Sequence, residues 1–218
     1  VTGLIVVDTG SFFTPFGQIV IILLIQIGGL GVMTISVAMF RWLRRSISFR
    51  HRMVMQDLFS HTPREDIFSL VKSVVVFALL IEGFGAIFLF IHWSRYLPTG
   101  NALYVSIFHA VSAFCNAGFS LYSDSMMAYD SSILLNTVMS LLIIFGGLGF
   151  PVLYEIQDRI RSRTTQTRLS VQTKTVFLTT GLLIVFGSVL FGLLEYASSD
   201  GEHSWKNIML TSLFQSVT

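Results

Sequence analysis

An all-α integral membrane protein, built from parallel helix, re-entrant loop, helix repeats, is the fold this sequence predicts. Three observations predict it. The chain of 218 residues is 53% hydrophobic and only 12% charged, about half the charge of an ordinary soluble domain. Its mean hydropathy is +0.73. Its apolar residues fall into long runs, and a glycine motif recurs within them. The net charge of +2 is small, and the basic residues sit in two loops, so no nucleic-acid surface is expected. The single Cys115 excludes an intrachain disulfide. No basic stretch, apolar core and cleavage site open the chain, and Val1-Thr2-Gly3 reads as the middle of a longer protein.

Taken in order, Phe16 to Phe40 is an apolar run of about 25 residues, enough to cross a bilayer with some tilt. Arg41-Trp42-Leu43-Arg44-Arg45 closes it as an interfacial anchor. Thr62-Pro63-Arg64-Glu65 resembles a helix start, with Thr62 as N-cap and Pro63 in the first position. Residues 67–93 form a second span. Pro98-Thr99-Gly100-Asn101 reads as a turn, and Tyr104 to Val111 as a short helix. Ser112-Ala113-Phe114-Cys115-Asn116-Ala117-Gly118-Phe119-Ser120 follows as an irregular strip, then a polar linker from Tyr122 to Ser132. Ile133 to Tyr154 is the third span and Thr175 to Tyr196 the fourth. Ser204 to Thr218 begins a further short helix. A short helix and a glycine-bearing strip between two spans suggest a re-entrant hairpin, because irregular backbone at membrane depth is tolerated only when buried in protein or lining a watery cavity.

Charge sets the orientation. Loops 41–66 and 155–174 hold nearly all the basic residues, whereas the opposite side has Arg95 and Lys206. The positive-inside rule makes those two loops cytoplasmic in a multi-pass plasma-membrane protein. Both hairpins then enter from outside. Asp8, Asp124, Asp130, Asp200 and Glu202 either enrich cations at an outer entry or simply keep the outer loops polar.

The repeat sets the architecture. Gly28-Gly29-Leu30-Gly31 recurs as Gly146-Gly147-Leu148-Gly149, 118 residues later. Val1-Thr2-Gly3-Leu4 matches Asn116-Ala117-Gly118-Phe119 at a separation of 115. Ser212 to Thr218 matches Ser106 to Ser112. Residues 1–66 are therefore read as the end of one repeat, 67–173 as a complete repeat and 174–218 as the start of the next. The repeats share one charge orientation, so they are parallel and related by an axis along the membrane normal. Several such units around an axis would form a ring of backbone carbonyls able to replace the hydration shell of a potassium ion.

Other residues leave two readings open. Glu82, midway along the second span, is either a functional intramembrane carboxylate or a hydrogen-bonding partner of a neighbouring pore helix. Gly28, Gly29, Gly31, Gly146, Gly147 and Gly149 serve as hinges or as close-packing sites. The side chains of Cys115 and Asn116 either touch the ion or point back to hold the strip. His109 reads as a packing residue of the short helix rather than a ligand. Arg44, Arg45, Arg161 and Arg163 either dock a cytosolic partner or only set orientation. There is no His-Glu-x-x-His, no Gly-x-Ser-x-Gly and no P-loop lysine motif, so no enzyme and no organic cofactor are expected.

With the strip from Ser112 to Ser120 and the repeated Gly-Gly-Leu-Gly spans in place, the chain resembles the Ktr/Trk/HKT superfamily of potassium and sodium translocators, most of all the bacterial membrane subunits. The resemblance implies four M1-P-M2 repeats with pseudo-fourfold symmetry, a homodimer, and a cytosolic nucleotide-binding regulatory subunit. It makes Gly3 and Gly118 filter glycines. The implied ion ligands are the carbonyls of Val1, Thr2 and Gly3 and of Cys115, Asn116, Ala117 and Gly118. Glycine rather than serine at position 3, if that strip belongs to the first repeat, suggests potassium. A sodium-permeable or sodium-coupled transporter and a non-conducting membrane scaffold are the alternatives. The third filter, the fourth repeat and part of the first lie outside this sequence.

Overall fold

The computed structural model describes residues 3, 5–31, 67–162, 169–198 and 205–218. All regular structure among them is helical. The chain runs through α1 (Thr9–Phe12), α2 (Pro15–Gly29), α3 (Ile67–Trp93), α4 (Thr99–Phe114), a 3-10 turn (Met127–Tyr129), α5 (Ile133–Gly147), α6 (Phe150–Ser162), α7 (Val171–Ser198) and α8 (Trp205–Val217).

Two helices are long and apolar enough to cross a membrane by themselves, Lys72–Trp93 within α3 and Val171–Ala197 within α7. They occupy the second and fourth spans expected from hydropathy. Along α7 the apolar side chains Leu182, Leu183, Phe186 and Val189 are exposed. An apolar helix exposed on most sides suits hydrocarbon rather than water.

Of the other two spans, the first is described only in part and the third is broken. Helix α2 covers only Pro15–Gly29, and the end near Phe40 and the helix start at Thr62-Pro63 lie outside the described residues. Helix α5 stops at Gly147, and its axis turns by 104° into Pro151–Gln157. The uninterrupted span to Tyr154 is therefore corrected to a broken one. The cause is local: Gly149 takes φ +83°, a left-handed setting that ends helices, and Pro151 follows.

Helices α2 and α5 are built alike. Thr14 caps the first, accepting from the Gly17 amide at 3.3 Å. Ser132 caps the second, accepting from the Leu135 amide at 3.4 Å. Each is 15 residues long. Leu30 and Leu148 are the C-caps, and Gly31 at φ +81° matches Gly149.

Helix α4 is the centre of the packing, lying against α2, α3 and α5. Every residue from Phe108 to Phe114 is buried. It is longer than expected, because Pro98-Thr99-Gly100-Asn101 is not a free turn but the N-cap and first helical turn. The Pro98 carbonyl accepts from the Ala102 amide at 2.9 Å. First-turn amides have no intrahelical acceptor to lose, so residues that signal a turn also serve here. Its far end reaches Phe114, which shortens the irregular strip to Cys115–Ser120.

Helix α8 packs on α7 and α5, and α6 touches α3 and α7. Helix α3 also packs on α5, and small residues set two of the approaches: a Cβ on Gly85 of α3 would lie 2.6 Å from Leu142 of α5, and a Cβ on Gly192 of α7 would lie 3.5 Å from Ser212 of α8. Close backbone approach is the main source of helix cohesion where lipid removes the hydrophobic drive. At the start of α7, Ser170 caps the Thr173 amide at 3.1 Å. Glu155 of α6 in turn accepts from the Ser170 amide at 2.7 Å, from the Ser170 hydroxyl at 2.6 Å and from the Thr173 hydroxyl. A carboxylate at a helix N-terminus is favoured by the helix dipole.

Candidate functional site

The site is the strip that follows α4. The chain leaves the helix with Cys115 as C-cap. Asn116 then takes φ +50° and Gly118 φ +72°. Left-handed backbone costs little for glycine and is tolerated by asparagine. The Asn116 amide donates to the Ala113 carbonyl at 3.0 Å, and the Ala117 amide to the Ser112 carbonyl at 2.9 Å. On the far side, the Ser112 hydroxyl donates to the Phe119 carbonyl at 2.6 Å. Among the described residues, no hydrogen bond ends on the carbonyl oxygens of Cys115, Asn116, Ala117 or Gly118. Cys115 and Ala117 are buried whereas Asn116 and Gly118 are exposed, so the run lies at the surface of the strip with its oxygens open to a ligand or to water.

A second strip lies against it. Gly3 has φ +66°, and a Cβ there would stand 2.6 Å from the Ala117 carbonyl oxygen and 3.1 Å from Gly118 Cα. A Cβ on Gly118 would stand 3.4 Å from Gly3 Cα. Both positions need glycine for conformation, and Gly3 needs it for space as well. Val1 and Thr2 lie outside the described residues. Beyond the strips, Asp8 joins the two segments, accepting from the Ser123 hydroxyl at 2.6 Å, the Ser11 hydroxyl at 2.8 Å and the Gly10 amide at 3.1 Å. These bonds, that from Ser123 foremost, hold its carboxyl below the usual carboxylate range.

The strip is braced from behind. With its amide oriented to satisfy both neighbours, Asn116 donates to the Ile143 carbonyl at 3.2 Å and accepts from the Gly147 amide at 3.1 Å. Its side chain therefore bridges the last turn of α5. Gly29 abuts Cys115, and Gly146 abuts the Phe114 carbonyl, so close that a Cβ at either would overlap its neighbour. Gly147 lies against the Asn116 side chain. Of the other glycines singled out, Gly31 and Gly149 end their helices with positive φ, and Gly28 is exposed. A cavity of about 640 Å³ opens beside the strip, with Ser112, Asn116, Gly118, Asn136 and Glu195 in its wall.

Several bracing residues carried no motif. Glu82, 4% exposed, accepts from the Gln26 amide at 2.9 and 3.1 Å, and Cys115 Sγ lies 3.9 Å from its Oε1. Glu82 thus bonds α2 through Gln26 and, at longer range, the C-cap of the short helix α4 through Cys115. Gln18 donates to the carbonyls of Thr9, Gly10 and Phe13 at 3.3, 3.0 and 3.0 Å, and accepts from the Tyr104 hydroxyl at 2.7 Å. Asn136 donates to the carbonyls of Tyr129, Asp130 and Ser132 at 2.9, 3.0 and 2.9 Å. Gln18 and Asn136 stand 118 residues apart, the separation of the glycine motif. Extending that alignment upstream would have found them.

Residues 1–198 match the family model described as TrkH, cation transport protein. The chain is 37% identical over 220 residues to the Ktr system potassium uptake protein B of Vibrio alginolyticus, covering 100% of this chain and 48% of that protein. It is 38% identical to the Bacillus subtilis (strain 168) protein of the same name, with the same coverage. It is 35% identical over 195 residues to the potassium/sodium uptake protein NtpJ of Enterococcus hirae, covering 89% of this chain and 42% of that protein. The chain spans about half the length of the curated relatives it matches. Matched along nearly its whole length, the chain belongs to the TrkH family of cation transport proteins.

Proposed function

We propose that this chain contributes part of the conducting pore of a membrane protein that takes up potassium. The observation that carries the reading is the run of unpaired carbonyls from Cys115 to Gly118 beside the equally left-handed Gly3. Neutral carbonyl oxygens suit a monovalent cation that must shed water, bind, and leave again. In this reading the carbonyls of Val1, Thr2 and Gly3 form one quarter of the filter, and those of Cys115, Asn116, Ala117 and Gly118 a second. The remaining quarters come from other repeats of the same polypeptide, with parallel M1-P-M2 units about a pseudo-fourfold axis. Residues 67–173 are the one complete unit, between the end of one repeat at 1–66 and the start of another at 174–218.

Loops 41–66 and 155–174, rich in arginine, face the cytoplasm. There Arg44, Arg45, Arg161 and Arg163 are available to a nucleotide-binding regulatory subunit, and the pore subunit forms a homodimer in the plasma membrane. The names of the Vibrio and Bacillus relatives support potassium uptake. The printed name of NtpJ keeps sodium as a second reading of the transported ion.

The test is growth of cells lacking their own potassium uptake, expressing the full-length protein on limiting potassium. Rescue dependent on Gly118 is expected. Failure to rescue by a membrane-inserted protein, with its cytosolic subunit supplied, would count against the proposal.

A further inference from the structure

Behind the outer end of the strip lies a fully buried histidine, His109, on α4. Its Nε2 is 3.3 Å from the Leu121 amide nitrogen, which donates to it. A backbone amide cannot accept, so Nε2 carries no hydrogen. The hydrogen of the neutral ring is then on Nδ1, which lies 2.8 Å from the Val105 carbonyl and donates to it. The Ser120 hydroxyl, 3.1 Å from Nε2, also donates to the ring and accepts from the Tyr122 amide at 3.0 Å. Tyr122 stacks on the imidazole at 5.6 Å and 18°, and Trp93 covers it at 5.0 Å. The ring has no room to turn.

One turn along the same helix, Ser112 holds the Phe119 carbonyl. The two residues thus grip the backbone on both sides of Ser120. Phe119 loses its carbonyl to α4, and the run of free carbonyls ends at Gly118.

We propose that His109 is a positioning residue of the pore: by taking the Leu121 amide and the Ser120 hydroxyl, it turns the chain away behind Gly118 and fixes the aim of the last filter carbonyl. This rests on the filter reading above. It makes His109 a determinant of ion choice although it touches no ion.

The test measures sodium competition against rubidium uptake in the full-length protein carrying His109→Leu, His109→Gln or Gly118→Ser. Glutamine supplies one donor and one acceptor in place of the ring. His109→Leu is expected to lower potassium-over-sodium preference roughly tenfold, the weight of one or two hydrogen bonds, and His109→Gln to restore it. If Gly118→Ser alters preference and His109→Leu does not, the inference is overturned and the filter stands. If Gly118→Ser also changes nothing, the filter reading falls first. Loss of preference in His109→Gln equal to that in His109→Leu would overturn it too. Should His109→Leu fail to fold, nitrogen NMR of histidine-labelled protein against His109→Gln decides: a neutral ring protonated on Nδ1 is expected, and a ring protonated on Nε2 overturns the assignment.

Discussion

The Gln26 amide donates to both carboxylate oxygens of Glu82, at 2.9 and 3.1 Å, tying α2 to the middle of α3 directly behind Cys115. Removing the amide leaves a buried carboxylate short of a donor, at a cost of about 1–3 kcal/mol. Gln26→Leu is therefore expected to lower the melting temperature of the detergent-solubilised protein. Glu82→Gln should cost less, because an amide facing an amide can reorient to pair. Equal melting of Gln26→Leu and wild type would show that this bond carries no weight.

Glycine positions divide sharply by what lies over them. A Cβ on Gly146 would overlap the Phe114 carbonyl, a backbone atom with no freedom to swing aside, whereas nothing lies within 4 Å of one on Gly83. Gly146→Ala should displace the root of the strip and abolish transport, with an overpacking cost of about 1–3 kcal/mol. Gly83→Ala should be tolerated, and should stabilise α3 by about 0.5–1 kcal/mol through helix propensity. Transport and melting measured on the pair check both halves of the claim.

Gln18 and Asn136 do the same work 118 residues apart, each serving three carbonyls of the turn before its helix. Either residue changed to leucine removes these side-chain donors; at position 136 the Asp130 carbonyl is orphaned, while those of Tyr129 and Ser132 keep the Ser132 and Asn136 amides, for about 1–3 kcal/mol per site. Melting curves of Gln18→Leu, Asn136→Leu and the double variant measure this. Near-additive losses are expected if the two turns are independent.

Acid should loosen the outer junction through Asp8. Its hydrogen bonds to Ser123, Ser11 and Gly10 stabilise the ionised form, so the folded pKa is depressed. A depressed carboxylate contributes stability above its unfolded pKa and loses it as pH falls through the folded value. Stability should therefore decline below about pH 4, and Asp8→Asn should flatten that decline. An identical acid limb in wild type and variant would remove Asp8 from the account.

Much of this was readable in the residues, and the rest was hidden for definite reasons. The spans α3 and α7 are uniform apolar runs flanked by polar residues, and hydropathy finds such segments directly. Gly3 and Gly118 were visible because glycine in a recurring context marks special backbone. The start of α4 was not, because Pro-Thr-Gly-Asn suits a turn and a helix N-terminus alike. The 104° break after α5 hid inside a run whose hydropathy continues past Gly149-Phe150-Pro151. Gln18, Gln26 and Asn136 looked like stray polar residues, since their partners, backbone carbonyls for two and the Glu82 carboxylate for Gln26, come near only in the fold; His109 was read as a packing residue, and its bond from the Leu121 amide had no signal in the sequence. Asn116 was expected to brace the strip or to touch the ion. Its bridge between Ile143 and Gly147 supports bracing.

The central claim is that Gly118 closes a run of ion-binding carbonyls beside Gly3. The most direct measurement is potassium-over-sodium preference in the full-length protein carrying Gly118→Ser, read as sodium competition against rubidium uptake. A serine at φ +72° is strained and must shift the strip, so the account predicts a marked fall in preference while the protein remains inserted and transporting. An unchanged preference would contradict it.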